Sequence, residues 1–393
     1  NMYLAAAPYF QARFADNKII LARFQPAITS ICCVTNLICI FVLTQMQSRA
    51  NYPRRIISGL SLLFIAFGLL SISTVSFRQA SPKAYFVFLS VIVFSTSIGT
   101  GLFQNGTFSF ASSFGRPEYI QAIMTGQGVA GILPAMAQII SVLSVPESQR
   151  SVTASEKVTA DAKENTTAAF TYFVTALILC VFTLLVFTYL LRKQNRVLQL
   201  QMINSFTSFQ DVEITNRQVV SIWTLYKKLH FYAASVFLCL ALSMFYPVFT
   251  ERIVSVIPEY EAPRLLHSAT FIPLGFLSWN IGDLLGRLMT LGPLSRINFN
   301  PAVMLIFALL RGAFLPLYYL CNIGGHGAVI NSDAFYLIFV SGGFGLTNGI
   351  LSSMCLLGAN KMVDIGEREA TSGFMIVNLM AGLMTGSLLS FIV

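Results

Sequence analysis

Charge is scarce in this sequence: 10% of its 393 residues are Asp, Glu, Lys or Arg, against about 25% in soluble globular chains. Hydrophobic residues make up 55%, and the mean hydropathy is +0.71. That balance excludes a soluble protein and leaves a polytopic membrane protein. Histidine is almost absent. His230, His267 and His326 stand alone near span edges, which argues against a zinc or di-metal centre. The seven cysteines, Cys32, Cys33, Cys39, Cys180, Cys239, Cys321 and Cys355, fall in or beside apolar runs without metal-ligand spacing. They read as small hydrophobes rather than ligands or disulfide partners. No nucleophile–base pair or metal constellation is visible, so no enzyme activity and no cofactor are expected. A basic stripe with interleaved aromatics is also missing. The formal charge of +9 is spread over many short loops, as in a membrane protein that orients itself by its loops. No nucleic-acid partner is expected. No signal peptide is visible. The chain opens on Asn1-Met2-Tyr3 in what reads as mid-helix, so a natural N-terminus upstream is expected.

Long apolar runs are abundant. Ten are long enough for the roughly 20 residues a bilayer requires: about 26–46, 56–76, 85–112, 119–145, 169–191, 229–250, 269–291, 300–321, 334–357 and 369–393, with a partial run at 1–10. Runs this long and uniformly apolar are helices, not barrel strands. The expected fold is all-α, with eleven transmembrane helices. Two connectors are long. The first, 146–168, is polar and carries the sequon Asn165-Thr166-Thr167, a glycosylation candidate. The second, 192–228, holds Arg192, Lys193, Arg196, Arg217, Lys227 and Lys228. It divides a six-helix bundle (1–191, first helix truncated) from a five-helix bundle (229–393). With the N-terminus placed in the cytoplasm, cytoplasmic connectors carry slightly more Lys and Arg. The sequon then faces the lumen or exterior, and 192–228 becomes a cytoplasmic loop.

Polar residues inside the spans carry the functional signal. Asn280, Asp283 and Arg287 lie in the 269–291 run. Asp283 and Arg287 are four apart and share a helix face, and Asn280 sits one turn earlier. Charges at that depth face a protein interior or a water-filled cavity. The stripe suits either a polar solute or a structural ion pair. Gln104 and Asn105 are adjacent amides, about 100° apart on a helix. One can tie helices together while the other faces a cavity. An amide both donates and accepts, which matches the edge of a heterocyclic base. Phe108 and Phe110 beside them could stack on it. Gly126-Gln127-Gly128-Val129-Ala130-Gly131 could pass for a phosphate loop, but it lies at membrane depth with no preceding strand. Small residues there permit close helix contact. Ser341-Gly342-Gly343-Phe344-Gly345 and Gly349 read the same way. Arg311, just before Pro316, either snorkels to the interface or pairs with an acid on another helix.

The order of these motifs resembles the equilibrative nucleoside transporters. Residues 1–10 are similar to the second half of that family's first helix. The stretch 114–131, with Pro117, Tyr119 and Gly-Gln-Gly, resembles its fourth-to-fifth helix signature. Asn280-x-x-Asp283-x-x-x-Arg287 matches the eighth, Arg311 with Pro316 the ninth, and Asn348-Gly349 through Gly358 the tenth. Gln104-Asn105-Gly106 resembles fungal, often intracellular, members. The resemblance implies a 6+5 helix fold of major facilitator type and facilitated diffusion of nucleosides, in some members nucleobases, by alternating access at one central site. It implies that Asp283 and Arg287 serve the ribose hydroxyls and that Gln104 or Asn105 reads the base. Asn280, Leu4 and Phe108 are further candidate contacts. Gly126, Gln127, Gly128, Gly131, Arg311 and Asn348 are candidate structural or gating positions. The family's first-helix tryptophan is absent from this chain, and its connector 192–228 is shorter than usual. The expected partners are a nucleoside such as adenosine or uridine and the lipid bilayer. A monomer is expected, in an organelle membrane such as the vacuole's or in the plasma membrane.

Two other carriers compete with this reading. One is a proton-coupled symporter in which Asp283 takes up the proton. The other is a drug or sugar carrier of the major facilitator group, but the Asp-Arg-Gly-Arg loop of such carriers is missing, since 47–55 is basic with no acid.

Overall fold

The computed structural model describes residues 6–15, 17–47, 50–77, 80–144, 154–205, 219–258, 260–292 and 300–390. It is helical almost throughout. The helices are α1 (Ala7–Phe14), α2 (Lys18–Gln45), α3 (Tyr52–Ser76), α4 (Pro82–Ser113), α5 (Pro117–Ser144), α6 (Ala154–Ser205), α7 (Ile222–Ser243), α8 (Ser268–Met289), α9 (Pro301–Leu310), α10 (Gly343–Lys361) and α11 (Arg368–Ser390). Among the described residues nine helical segments are long and apolar enough to cross a membrane. The chain is a multi-pass integral membrane protein. α8 is not among the nine, because Asn280, Asp283 and Arg287 dilute its hydropathy.

Helix starts are set by local caps. The Asn17 side chain accepts from the Ile19 and Ile20 N–H groups, both at 3.2 Å, so α2 begins eight residues before the apolar run near 26. Asn51, Ser81, Ser221 and Asn300 cap α3, α4, α7 and α9 in the same way, satisfying otherwise orphaned N–H groups. The largest departure from the sequence expectation is α6, which runs far beyond 169–191 at both ends. The polar flanks 154–168 and 192–205 are rich in Ala, Glu, Lys, Arg, Gln and Leu. These residues favour helix whether or not lipid surrounds them, so hydropathy marks the apolar part of the helix and misses its ends.

The span expected at 300–321 is broken. α9 tightens into a 3-10 turn at Arg311–Ala313 and resumes as a short helix at Phe314–Tyr318. The span expected at 334–357 opens with a π-helical stretch, Phe335–Gly342, before α10. Such widened turns recur at functional sites.

The core shows how the halves meet. One buried cluster draws on both: Ile40, Phe108, Ile120 and Met124 from the first half pack with residues such as Leu229, Val236, Leu356 and Met375 from the second. It lies where α2, α4 and α10 end and where α5, α7 and α11 begin. At the opposite end each half keeps its own core. Phe10, Phe14, Phe24, Tyr85 and Phe173 form one, and Phe249, Phe271, Trp279, Tyr318 and Phe344 the other. The two halves are therefore joined at one end and have separate cores at the other.

Candidate functional site

Glycines set the site's geometry. On α8, a Cβ at Gly282 or Gly286 would run into the carbonyl oxygen of Gly342 or Leu346. On α10, a Cβ at Gly345 or Gly349 would run into that of Trp279 or Asp283. Two small-xxx-small stripes interleave, and the backbones touch. That approach brings Asn348 of α10 to Asp283 of α8: its Nδ2 donates to Asp283 Oδ1 at 2.7 Å. Arg287 Nε donates to Asp283 Oδ2, also at 2.7 Å. Both charges are deeply buried, with 4% of Asp283 and 9% of Arg287 exposed.

Arg287 also spans the seam between the halves. Its Nη1 donates to the Met124 carbonyl on α5 at 2.9 Å. Gln121 of α5 donates to the Arg287 carbonyl at 2.8 Å and bonds Thr290. Gly128 lies against Leu284 and Arg287, and Gly131 against the Asn280 side chain. The small residues of α5 are thus the floor on which the polar stripe of α8 lies. Among the described residues Arg287 Nη2 has no hydrogen-bond partner, and it is not sealed from solvent. Asp283 accepts one bond on each oxygen, so each retains acceptor capacity.

Behind Asn348 the network continues. Asn348 Oδ1 accepts from Ser243 Oγ at 2.8 Å and from Cys239 Sγ at 3.3 Å. Arg311, 3% exposed, donates to the Cys239 carbonyl at 2.6 Å, Ser243 Oγ at 3.2 Å, the Phe344 carbonyl at 3.3 Å and Thr347 Oγ1 at 3.2 Å. Its guanidinium also stacks over Phe344. The structure therefore excludes snorkelling for Arg311, which is linked to Asp283 through Asn348, by way of both Ser243 and Cys239. A buried charge needs a full set of hydrogen bonds, and the tightened turn at Arg311–Ala313 supplies the position from which Arg311 makes them.

The other expected residues are placed as follows. Asn105 is buried and tied to Arg55 Nη1 at 2.6 Å and to Thr44 Oγ1 at 3.4 Å. Gln104 is half-buried, and its side chain makes no hydrogen bond to any described residue. Phe108 lies in the shared core and Phe110 packs edge-on against Phe114 and Phe187, so packing and not an open face accounts for both. Asn280 Nδ2 bonds the Phe276 carbonyl of its own helix at 2.8 Å. Gln127 is exposed and Gly126 faces open space. Asn165 falls within α6, and Leu4 lies outside the described residues. Gln121, Ser243, Cys239 and Thr290 were not expected from sequence. Each is an isolated polar or thiol residue in an apolar run, and nothing local distinguishes it from packing.

The family model for nucleoside transporters matches residues 89–393. The chain belongs to the nucleoside transporter family. Nucleoside transporter FUN26 of Saccharomyces cerevisiae is 27% identical, over all of this chain and 80% of its own. Equilibrative nucleoside transporter 1 of Homo sapiens is 25% identical over 99% and 85% of the two chains. Among solved structures, the major facilitator transporter FucP in the outward conformation superposes with a TM-score of 0.55 at 14% identity, covering all of this chain and 91% of that one. This nucleoside transporter family member thus has the major facilitator type of fold. Membership also answers the enzyme question, since the family is one of transporters.

Proposed function

We propose that this family member carries nucleosides down their concentration gradients, with the sugar held at Asp283 and Arg287 and the two halves rocking about that site. The observation that carries the reading is the unspent capacity of the pair. Arg287 Nη2 offers donors, and each Asp283 oxygen can accept once more. A ribose diol needs that combination. Gln104, whose side chain has no partner among the described residues, is the better candidate for reading the base, and Asn105 serves as the interhelical tie. The further readings of the sequence belong to the same proposal: eleven spans grouped six and five about 192–228, a cytoplasmic N-terminus, a monomer, nucleobases as secondary substrates, and glycosylation at Asn165.

Proton coupling through Asp283 fits the geometry less well. Both of its oxygens already accept an N–H bond, one of them from the Arg287 guanidinium, and neutralising the carboxylate would weaken both bonds and leave that buried cation without its counter-charge. The test is uptake of radiolabelled adenosine and uridine into proteoliposomes with and without a pH gradient. Equilibration without accumulation is expected. Accumulation that collapses with a protonophore would overturn the passive reading, and an absence of any nucleoside uptake would overturn the substrate.

A further inference from the structure

At the joined end, a cavity of about 60 Å³ lies between the connector after α4 and the one before α11. Its walls come from both halves: Ser112, Arg116 and Pro117 on one side, Asn360, Lys361 and Arg368 on the other. Three cations line it and no carboxylate does. Of the acids nearest in sequence, Glu118 and Asp364 are exposed, Glu367 is paired with Lys228 at 2.8 Å, and neither these nor Glu369 belongs to the lining. Arg368 is held in place by its Nη1 bond to the Gly115 carbonyl at 2.8 Å, and its Nε is buried with no hydrogen-bond partner. Arg116 makes no hydrogen bond through its side chain to any described residue.

We propose that this cavity binds a phosphate group, carried either by a soluble phosphate or by an anionic lipid headgroup, and that occupancy holds the carrier in the arrangement seen here. Closing the joined end brings Arg116 of the first half against Arg368 of the second, and like charges repel. A phosphate offsets that repulsion and matches the donor fork of arginine. Because the walls belong to both halves, opening this end dismantles the site. The ligand therefore favours the closed end by its difference in affinity between the two states. Binding needs no assumption about the cargo, and only the effect on transport rests on the nucleoside reading.

The experiment uses the purified full chain. Thermal unfolding is followed in detergent with inorganic phosphate against potassium chloride at equal ionic strength. A second arm uses vesicles with and without a few mol per cent of phosphatidylinositol 4-phosphate. A Tm increase of about 2 °C or more is expected in at least one arm, and the arm that responds identifies the source. Arg116→Gln should abolish the shift, and Arg368→Lys, which keeps the charge and is expected to fold, should retain part of it. In reconstituted vesicles the same ligand on both faces should slow adenosine exchange roughly twofold in the parent and leave the Arg116→Gln carrier unaffected. No shift over the salt control in either arm overturns the proposal, as does an undiminished shift in Arg116→Gln. If adenosine exchange is absent altogether, the cargo assignment fails while the stability shift still decides the site.

Discussion

Arg287 is asked to do three things at once: neutralise Asp283, reach across to the Met124 carbonyl and present Nη2 to the space beside it. Arg287→Ala should therefore abolish nucleoside uptake and also destabilise, by about 3–5 kcal/mol for a buried charge left without its partner. Thermal unfolding must be measured beside transport, and normal uptake by a folded variant would refute the role. Arg287→Lys is the sharper probe. It keeps the charge but has no planar fork, so it cannot serve Asp283 and the substrate together, and a raised KM is expected even where folding survives. Asn348 is the next link. Asn348→Leu removes the donor to Asp283 and the acceptor for Ser243. A loss of about 1.5–3 kcal/mol is expected for a hydrogen bond to a charged group, read as a lower Tm together with weaker nucleoside binding. A variant with unchanged Tm and KM would show the bond to be dispensable.

Where helices meet, glycine position decides what is tolerated. Gly349→Ala would drive a Cβ into the Asp283 carbonyl, whereas Gly126→Ala meets open space. The first should lower expression and Tm sharply, because backbone cannot yield as a side chain can. The second should leave folding intact, since alanine favours helix over glycine by about 1 kcal/mol. Equal behaviour of the two would mean that the α8–α10 approach is not tight. The same seam explains what was legible in the sequence. The pairing of Asp283 with Arg287 could be read directly, because an i,i+4 spacing on one helix fixes their geometry. The link from Asp283 to Asn348 could not, because it depends on the register between two helices 65 residues apart. The glycines of α10 announced close packing without naming the partner. Likewise the adjacent amides Gln104 and Asn105 announced that one would tie helices, and only the position of Arg55 shows which. The helix order and apolar centres were readable from hydropathy. The polar ends of α6 and the break at Arg311 were not, because helix propensity and hydrogen bonds to buried guanidinium set them.

At the scale of the whole molecule, one core shared at one end and two separate cores at the other make an asymmetric clamp. Ser112 and Ser372, hydrogen-bonded across the joined end, are suited to locking it. A Ser112→Cys/Ser372→Cys pair should form a disulfide on oxidation and stop uptake, and reductant should restore it. Full uptake by the oxidised, cross-linked protein would show that this end need not open. The charges in the network carry a further consequence. Asp283, Arg287 and Arg311 sum to one positive charge, and all three sit in the second half of the chain. Any rocking of that half moves this charge within the electric field of the membrane. A full elementary charge crossing 100 mV exchanges about 2.3 kcal/mol. Displacement through a tenth of the field therefore exchanges about 0.2 kcal/mol, and rates change by less than about twofold. Because that charge returns with each cycle, voltage can alter how quickly an uncharged cargo equilibrates but not the concentrations at which it stops.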